Sequence, residues 1–577
     1  MKKKIQGAIN SKYFELILVI FINIIFFTIC NKLFTFKYEQ VDDFIIMNLV
    51  SKADGIYSIY GIQMHPIICE IIILLYKTTI NINWYTIFLL VMQFISFTII
   101  GTAFLKKNKY FGLILYISFI FVIYSKMLSL IQYTTVSMLC ITSGFILLMH
   151  TIEKVESNIN KCNFIISIIM IAFGCMIRFS TIIIAIPFMV IYFICKFIKD
   201  KNFRIIKVVL ILIGVILLIY ISFNIIYNIN PLYKEFMKFH EARTYLHDYN
   251  WMYYNSNKKT FNSVNWSEND SDIFYAYCFG DEKVFNYETL ETLKENALKN
   301  TNKINVLQRF SNTFNGFVNS INEGTYKFIF LIVTMLVISN NLLIISKETK
   351  DERNDTINVS FINLILITII GIHCLFIFLN RPMFRVIISI YILGISMLIY
   401  TNLNILKEVK KFNLKSILTF SILTISILEF KHNVFYAKYY NTKNYSVYKD
   451  ILEYTNSHKE NAYLYTLVMH DRYLAYSVYE KIEDDTFSNV RPLGDWDTYT
   501  ENYYNFKKMY NIDNLMKSLY EKDNVYLISG NVIWGESYKE YIKIIVQYIK
   551  EHYNINVNYS VIKEFDNNIK IYKLQKI

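Results

Sequence analysis

The chain has 577 residues, of which 54% are hydrophobic and 17% are aromatic, and its formal net charge is +13 at pH 7. This apolar content exceeds what one water-soluble core needs and falls in many separate runs, which excludes an ordinary soluble domain. The basic residues lie between the apolar runs and not in one patch, so nucleic acid is not an expected partner. The composition therefore predicts an integral membrane protein.

About eleven apolar runs are long enough, or nearly so, to cross a hydrocarbon layer of roughly 30 Å. Backbone polar groups in lipid must be satisfied within the segment, so these runs are expected to be helices. They lie at 13–34, 84–105, 110–124, 127–149, 163–177, 181–195, 208–228, 327–346, 358–379, 386–401 and 416–430. The first run follows MKKK and lacks a small-residue cleavage site, so we expect it to stay as the first helix. A shorter run at 67–76 predicts an interfacial or half-inserted helix.

Basic clusters indicate which connections face the cytoplasm. They lie at Lys2 to Lys4, Lys106 to Lys109, Lys154 to Lys161, Lys196 to Lys207, Lys347 to Arg353 and Lys407 to Lys415. All six fall on alternate connections, which by the positive-inside rule are cytoplasmic, as is the N-terminus. The outer side then holds a first loop at 35–83, a large loop at 229–326 and everything after residue 430. The Ile/Lys/Asn bias fits a bacterial plasma membrane.

Residues 431–577 are predicted to form a small extracytoplasmic α/β domain beside a transmembrane domain at 1–430. AYLYTLVM and NVYLIS have the composition of buried strands, GESYKEYIKIIVQYIKEHY has a helical period, and VNYSVIKEF with IKIYKLQKI predicts a terminal hairpin. The large outer loop contains helical patterns near Tyr233–Tyr249 and Tyr287–Asn315. The predicted fold is an α-helical polytopic membrane protein with about eleven transmembrane helices and this small domain.

The sharpest chemical signal is the pair Asp42 and Asp43 in VDDFIIMN, a few residues beyond the first helix. A carboxylate at the outer membrane surface could act as the base for an acceptor hydroxyl. Adjacent carboxylates repel, so one could have a raised pKa, or the pair could hold a divalent cation. No other cofactor is indicated. The alternative interpretation is that the two aspartates are only solvent-exposed acidic residues where the chain leaves the first helix.

GIQMHPIICEIIILLY places His65 and Pro66 at the start of an apolar helix that carries the isolated charge of Glu70. This order resembles the GT-C superfamily of membrane glycosyltransferases, in which an Asp-Asp or Asp-Glu pair follows the first helix and a His-Pro or Lys-Pro motif opens the next apolar segment. The resemblance covers the first hundred or so residues by motif and the rest by architecture. It departs from the fuller pattern at Ile67, where a second proline is often found.

The resemblance implies a polyprenyl-phosphate-linked sugar as donor. It also implies that Asp42 or Asp43 is the general base and that His65 shapes the donor or acceptor site. Glu70, on the same apolar helix, is a further candidate binding residue.

Arginines on the outer side are candidate partners for a lipid-linked phosphate. Arg178 lies between two runs of about 15 residues, roughly 22 Å each as helices, so the hairpin tip is expected below the outer surface. A guanidinium there needs a partner such as phosphate, or it snorkels to the headgroups. Arg381 and Arg385 in NRPMFR flank a proline at the outer end of a helix pair. They could complete a cradle for the leaving phosphate, or serve as ordinary membrane anchors.

The remaining candidate binding residues are polar groups on the predicted outer side. Gln132 belongs to the polar cluster of SKMLSLIQYTTVSM, which could line a cavity or serve helix packing. Arg243 in EARTYLHDYN and Asp270 in NWSENDSD lie among aromatic residues, as suits sugar recognition, although solvated loop surface also explains them. Trp496 in RPLGDWDTY could be a sugar platform, and turn chemistry explains its neighbours as well.

These features favour a membrane glycosyltransferase that moves a hexosyl or pentosyl group from a polyprenyl-phosphate donor to a cell-envelope glycan, lipid or protein on the outer face. The predicted mechanism is a single displacement with inversion, with one aspartate as base and the arginines stabilising the phosphate. A polysaccharide polymerase or ligase, a lipid-glycan flippase or transporter, and a non-catalytic scaffold are the alternatives. The first would be expected to carry more outer-loop arginines than the two in 229–326.

Overall fold

A computed structural model describes residues 13–79, 81–153, 160–249, 251–301, 306–322, 326–348, 351–440, 445–534 and 537–577. Lys2 to Lys4 and Lys154, used above to predict topology, lie outside these ranges. The helices in chain order are α1 (Phe14–Leu33), α2 (Val41–Ser51), α3 (Pro66–Thr78), α4 (Trp84–Lys107), α5 (Lys109–Ser129), α6 (Tyr133–Glu153), α7 (Lys161–Ile177), α8 (Ser180–Asp200), α9 (Arg204–Ile229), α10 (Pro231–Thr244), α11 (Tyr254–Asn262), α12 (Glu268–Tyr275), α13 (Tyr287–Thr301), α14 (Val306–Asn322), α15 (Lys327–Ile345), α16 (Glu352–Phe378), α17 (Phe384–Glu408), α18 (Phe412–Tyr440), α19 (Ser446–Asn456), α20 (Glu501–Met509), α21 (Leu515–Glu521) and α22 (Tyr541–Tyr553).

Within the described ranges, ten helices are long and apolar enough to cross a membrane: α1, α4, α5, α6, α8, α9, α15, α16, α17 and α18. The eleventh predicted run is α7, which has 17 residues and is shorter than these. The predicted polytopic helical fold is therefore confirmed. The short run at 67–76 forms α3, and α18 continues ten residues past the boundary predicted at residue 430.

Two helices form the centre of the bundle. Helices α6 and α17 are buried along almost their whole length, whereas α1 and α9 expose most of their side chains. Helix α6 packs tightly on α7 through glycines: a Cβ at Gly144 would lie 2.5 Å from the Ser167 carbonyl oxygen, and one at Gly174 would lie 2.7 Å from that of Ser137. Small residues at such a contact let two backbones approach closely.

The strands of the described residues belong to three sheets. The first joins β1 (Lys37–Tyr38) to β2 (Leu130–Ile131) in parallel, and another pairs β6 (Asn531–Trp534) with β7 (Ser537–Glu540). The five-stranded sheet contains β3 (Ala462–Tyr465), β4 (Val490–Pro492), β5 (Val525–Ser529), β8 (Val557–Glu564) and β9 (Lys570–Lys576) in the order β4-β3-β5-β9-β8. Its first three strands are parallel and mostly buried, as their apolar sequences predict.

The tail departs from prediction in two places. AYLYTLVM is a strand only as far as Tyr465, because the Thr466 N–H bonds to the Ile528 carbonyl at the end of the ladder and the chain then turns into a 3₁₀ helix. The helix predicted from residue 535 begins at Tyr541, since Ser537–Glu540 pairs with the preceding strand. The terminal hairpin is confirmed, with Asn567 and Asn568 at positive φ in its turn.

The large loop at 229–326 and the tail share one hydrophobic core. The Tyr499 hydroxyl donates to the carbonyl oxygens of Phe279 and Phe285 at 3.1 and 3.0 Å. A Cβ at Gly494 would lie 2.5 Å from the Phe279 nitrogen, so only glycine permits this approach. The loop therefore holds the tail over the ends of the membrane helices.

Candidate active site

A cavity of about 340 Å³ lies where the loops at 35–83 and 229–326 and the tail meet one end of the helix bundle. Its lining residues are Gln40, Val41, Asp42, Gln63, Tyr133, Arg178, Ser180, His240, Arg243, Thr244, Asp248, Tyr249, Tyr277, Arg381, Met383, Arg385, Leu467, His470, Asp495 and Trp496. Six residues predicted from the sequence are thus brought together: Asp42, Arg178, Arg243, Arg381, Arg385 and Trp496.

The two adjacent aspartates turn to different surroundings. Asp42 lies in the first turn of α2, where a carboxylate is favoured by the helix dipole, and its side chain is 23% exposed on the cavity. Asp43 is fully buried, and its Oδ1 accepts hydrogen bonds from the Tyr85 hydroxyl at 2.8 Å and the Tyr133 N–H at 2.9 Å. Asp42 is therefore the carboxylate that a substrate can reach.

The divalent cation considered at this pair stays a prediction, and Asp43 Oδ2 is buried without a hydrogen-bond partner among the described residues. Asp42 Oδ2 faces an Arg385 nitrogen at 3.2 Å, while Asp43 faces a hydroxyl and an N–H, which are donors and not metal ligands. Across the described residues, no group of three or more His, Cys, Asp or Glu side chains is placed to hold a metal.

Arg385 links the cavity to a buried glutamate that the sequence did not single out. Its guanidinium contacts Glu39 at 3.3 Å as well as Asp42, and it also donates to the Gln40 side chain. The side chains of Glu39 and Arg385 are each only 7% exposed. Burial raises the pKa of Glu39 in spite of the opposing attraction of Arg385.

Arg178 is held at the tip of the α7–α8 hairpin. Its Nε donates to Ser180 Oγ at 3.1 Å, another guanidinium nitrogen donates to the Thr134 hydroxyl, and its guanidinium carbon lies 5.1 Å from the centre of the Tyr133 ring. The Ser137 hydroxyl donates to the Gly174 carbonyl oxygen at 2.6 Å, which fixes the end of α7 against α6. The polar cluster at the start of α6 therefore positions this arginine.

Two further arginines approach from the other side. Arg381 pairs with Asp248 at 2.8 Å and lies over the Tyr249 ring at 4.3 Å. Arg243 is buried, and its Nε–H has no hydrogen-bond partner among the described residues. A buried guanidinium donor without a partner favours an anionic ligand. Burial, with the nearby Arg243 charge, lowers the pKa of His240 to about 3, so this histidine is neutral near pH 7.

The tail contributes Asp495 and Trp496, which follow β4. Arg491 pairs with Asp497 at 2.6 Å and with Asp54 of the loop at 35–83 at 3.5 Å, and this fixes the segment over the cavity. Burial and the neighbouring Asp497 raise the pKa of Asp495. The Trp496 indole N–H is buried without a hydrogen-bond partner among the described residues.

Four predicted binding residues lie outside this cavity. His65 caps α3, with its Nδ1 accepting from the Ile67 N–H and its Nε2 3.0 Å from Ser222 Oγ. Gln132 is buried behind Tyr133 and accepts from the Thr134 N–H. Asp270 completes the capping box of α12 and contacts His552 at 2.6 Å, and Glu70 is exposed on α3. His65, Gln132 and Asp270 each contact other groups of the protein. A sequence motif does not reveal such contacts.

The buried state of Asp43 gives a pH prediction. Because its folded pKa is raised by burial, the folded state prefers the protonated acid, so this group favours folding at low pH and the benefit is lost as pH rises through the folded pKa. Asp43→Asn is neutral at every pH and nearly isosteric. We expect its thermal unfolding temperature to fall less than that of wild type as pH rises from about 4. Unfolding scans in detergent over a pH series measure this, and an unchanged pH slope would contradict it.

Comparisons with known proteins add little to this geometry. The sequence has no significant match to a protein-family model or to a curated protein. The structure is similar to the crystal structure of ArnT from Cupriavidus metallidurans in the apo state, over 96% of this chain and 97% of that chain, with 8% sequence identity and a TM-score of 0.40. A likeness at that level is not evidence of a shared function.

Proposed function

We propose that the protein is a membrane glycosyltransferase that moves a sugar from a polyprenyl-phosphate donor to a hydroxyl group of a cell-envelope glycan, lipid or protein on the outer face. One observation carries this proposal: the accessible carboxylate of Asp42 shares a cavity with four arginines at the end of an apolar helix bundle. The base and the positive charges that would bind the leaving phosphate then lie in one site.

The arginines suit an anionic leaving group. Arg178 and Arg381 each lie over a tyrosine ring, which orients the guanidinium plane, and Arg243 has a buried N–H available. Guanidinium groups bind phosphate oxygens in pairs of charge-assisted hydrogen bonds. In a site that excludes water, such fixed donors stabilise the charge that develops on the departing phosphate.

Asp42 supplies the base. The acceptor oxygen attacks the anomeric carbon, its proton passes to Asp42, and the bond from the anomeric carbon to the phosphate oxygen breaks with its electrons leaving on the phosphate. Attack opposite the leaving group inverts the configuration. A product that retains the donor configuration would exclude this single displacement.

A transfer assay tests the proposal. The purified protein in nanodiscs is given polyprenyl-phosphate hexoses and pentoses, or the corresponding nucleotide sugars, with an extract of envelope glycans and lipids as acceptor. We expect labelled sugar to pass to the acceptor from a lipid donor and not from a nucleotide donor. Transfer from nucleotide sugars alone would overturn the donor assignment.

Trp496 is expected to form part of the sugar-binding wall. Trp496→Ala removes an aromatic face from the cavity, so we expect KM for the acceptor or donor sugar to rise about tenfold, or ~1.4 kcal/mol, with a smaller change in kcat. Trp251→Ala is the matched control, because Trp251 is 41% exposed and lies outside the cavity lining. Equal effects of the two substitutions on KM would contradict a binding role for Trp496.

A further inference from the structure

A second polar cavity, of about 410 Å³, lies at the opposite end of the same helices. Helices α6, α8 and α17 begin at the candidate active site with Tyr133, Ser180 and Arg385, and they end at this second cavity. From Arg385 to Asn404, the α-helical rise gives a separation of roughly 30 Å, the thickness of the hydrocarbon layer. The second cavity is therefore at the other membrane surface.

The charges of this cavity leave a positive excess. Its lining holds three lysines and two carboxylates. Glu153 pairs with Lys107 from outside the lining, whereas Glu408 shares Lys347, at 2.5 Å, with Asp355. Glu153 also accepts hydrogen bonds from the Tyr400 hydroxyl and the Asn404 amide at 2.8 and 2.9 Å. Glu153 therefore contributes little negative charge, and the three lining lysines outnumber the two lining carboxylates.

The lining lysines are less completely paired. Lys196 contacts Asp200 at 2.6 Å, but no carboxylate of the described residues lies within 4.0 Å of the ammonium of Lys199 or Lys407. Both of these side chains are exposed and face the same cavity. Two such ammonium groups would attract an anion.

A buried hydroxyl adds a second, independent observation. Tyr192 lines the cavity and is 5% exposed, and its hydroxyl has no hydrogen-bond partner among the described residues. Its ring packs against Phe145 and Phe361, so the hydroxyl is held in place. A buried hydroxyl is normally hydrogen-bonded, and a phosphate oxygen would provide the missing acceptor.

We propose that this cavity binds a phosphate group, that of an anionic phospholipid headgroup at this membrane surface. Met149, Phe361 and Ile405 give the lining an apolar side, which suits the glycerol and acyl part of a lipid better than a free phosphate ion. The site is separate from the candidate active site and is independent of the reaction catalysed there.

Native mass spectrometry of the full chain in detergent tests this, with phosphatidylglycerol and phosphatidylcholine as probes. We expect phosphatidylglycerol to bind more tightly than phosphatidylcholine. Lys196→Gln/Lys199→Gln/Lys407→Gln should weaken phosphatidylglycerol binding about tenfold or more. The matched control Lys207→Gln/Lys411→Gln/Lys415→Gln removes the same charge from the same end of the bundle and should have little effect. If both variants weakened phosphatidylglycerol binding equally, general surface charge would explain the binding, and the proposed site would be overturned.

Two further measurements distinguish a lipid headgroup from a free phosphate and from charge alone. Tyr192→Phe changes no charge and removes only the hydroxyl, so it should weaken phosphatidylglycerol binding while the unfolding temperature stays near that of wild type. Inorganic phosphate should displace the lipid only weakly. Displacement by inorganic phosphate as efficient as by phosphatidylglycerol itself, or Tyr192→Phe with wild-type lipid binding, would overturn the assignment to a lipid headgroup.

Discussion

Replacing Asp42 with asparagine is expected to lower the rate of sugar transfer by a factor of about 10² to 10⁴ while the protein still folds. The loss of rate follows because Asp42 is the one aspartate of the pair that reaches the cavity. The fold should persist because Arg385 keeps its contact with Glu39 at 3.3 Å when the Asp42 charge is removed. Single-turnover transfer with saturating donor measures the chemical step, and a thermal unfolding scan confirms folding.

The matched control for this substitution is Glu235→Gln. Glu235 is an exposed carboxylate of α10 on the same side of the bundle, 64% exposed and outside the cavity lining. It should leave the rate unchanged. Wild-type transfer by Asp42→Asn would remove Asp42 from the role of base, whatever the behaviour of the control.

Arg385→Gln is expected to cost about 3 to 5 kcal/mol of folding free energy as well as transfer, because it leaves Glu39 buried without its cation. The stability loss should depend on pH. The pKa of Glu39 is already raised by burial, so at low pH the side chain is protonated and the unpaired charge is absent. As pH rises through that pKa the carboxylate ionises, and the difference in unfolding temperature between wild type and variant should widen.

The double variant Glu39→Gln/Arg385→Gln separates stability from function. Removing both charges should recover most of the unfolding temperature lost in Arg385→Gln, because no buried charge is left unpaired. Transfer should remain low, since the cavity still lacks the guanidinium of Arg385, one of its four arginines. If transfer recovered together with stability, Arg385 would be a structural residue only.

The membrane helices could be predicted well from the sequence because each needs a long apolar run, and a soluble protein rarely contains such runs. Asp42, Arg178 and Arg385 could also be identified, since a charge at the end of an apolar helix stands out in sequence. The short helix α2 was not predicted, because ten of its eleven residues are buried and no amphipathic period shows. The two-residue pair β1–β2 leaves no periodic signal at all.

The rest of the site depends on contacts distant in sequence. Glu39 meets Arg385 across 346 positions, and Arg381 meets Asp248 across 133. In the sequence, Glu39 and Asp248 are indistinguishable from solvated loop acids, and only the fold shows that they hold arginines. A binding role for His65 stays a prediction, because a helix-capping histidine and a substrate-binding histidine produce the same motif.

The shared core of the large loop at 229–326 and the tail implies an order of assembly. Synthesis proceeds from the N-terminus, so the loop around Phe279 and Phe285 is made long before Tyr499. Until then its apolar face has no cover, and the cavity lacks the wall that Trp496 provides. A chain interrupted before the tail would keep its membrane helices but lack part of the cavity lining, including Trp496, so the candidate site is complete only when synthesis is complete.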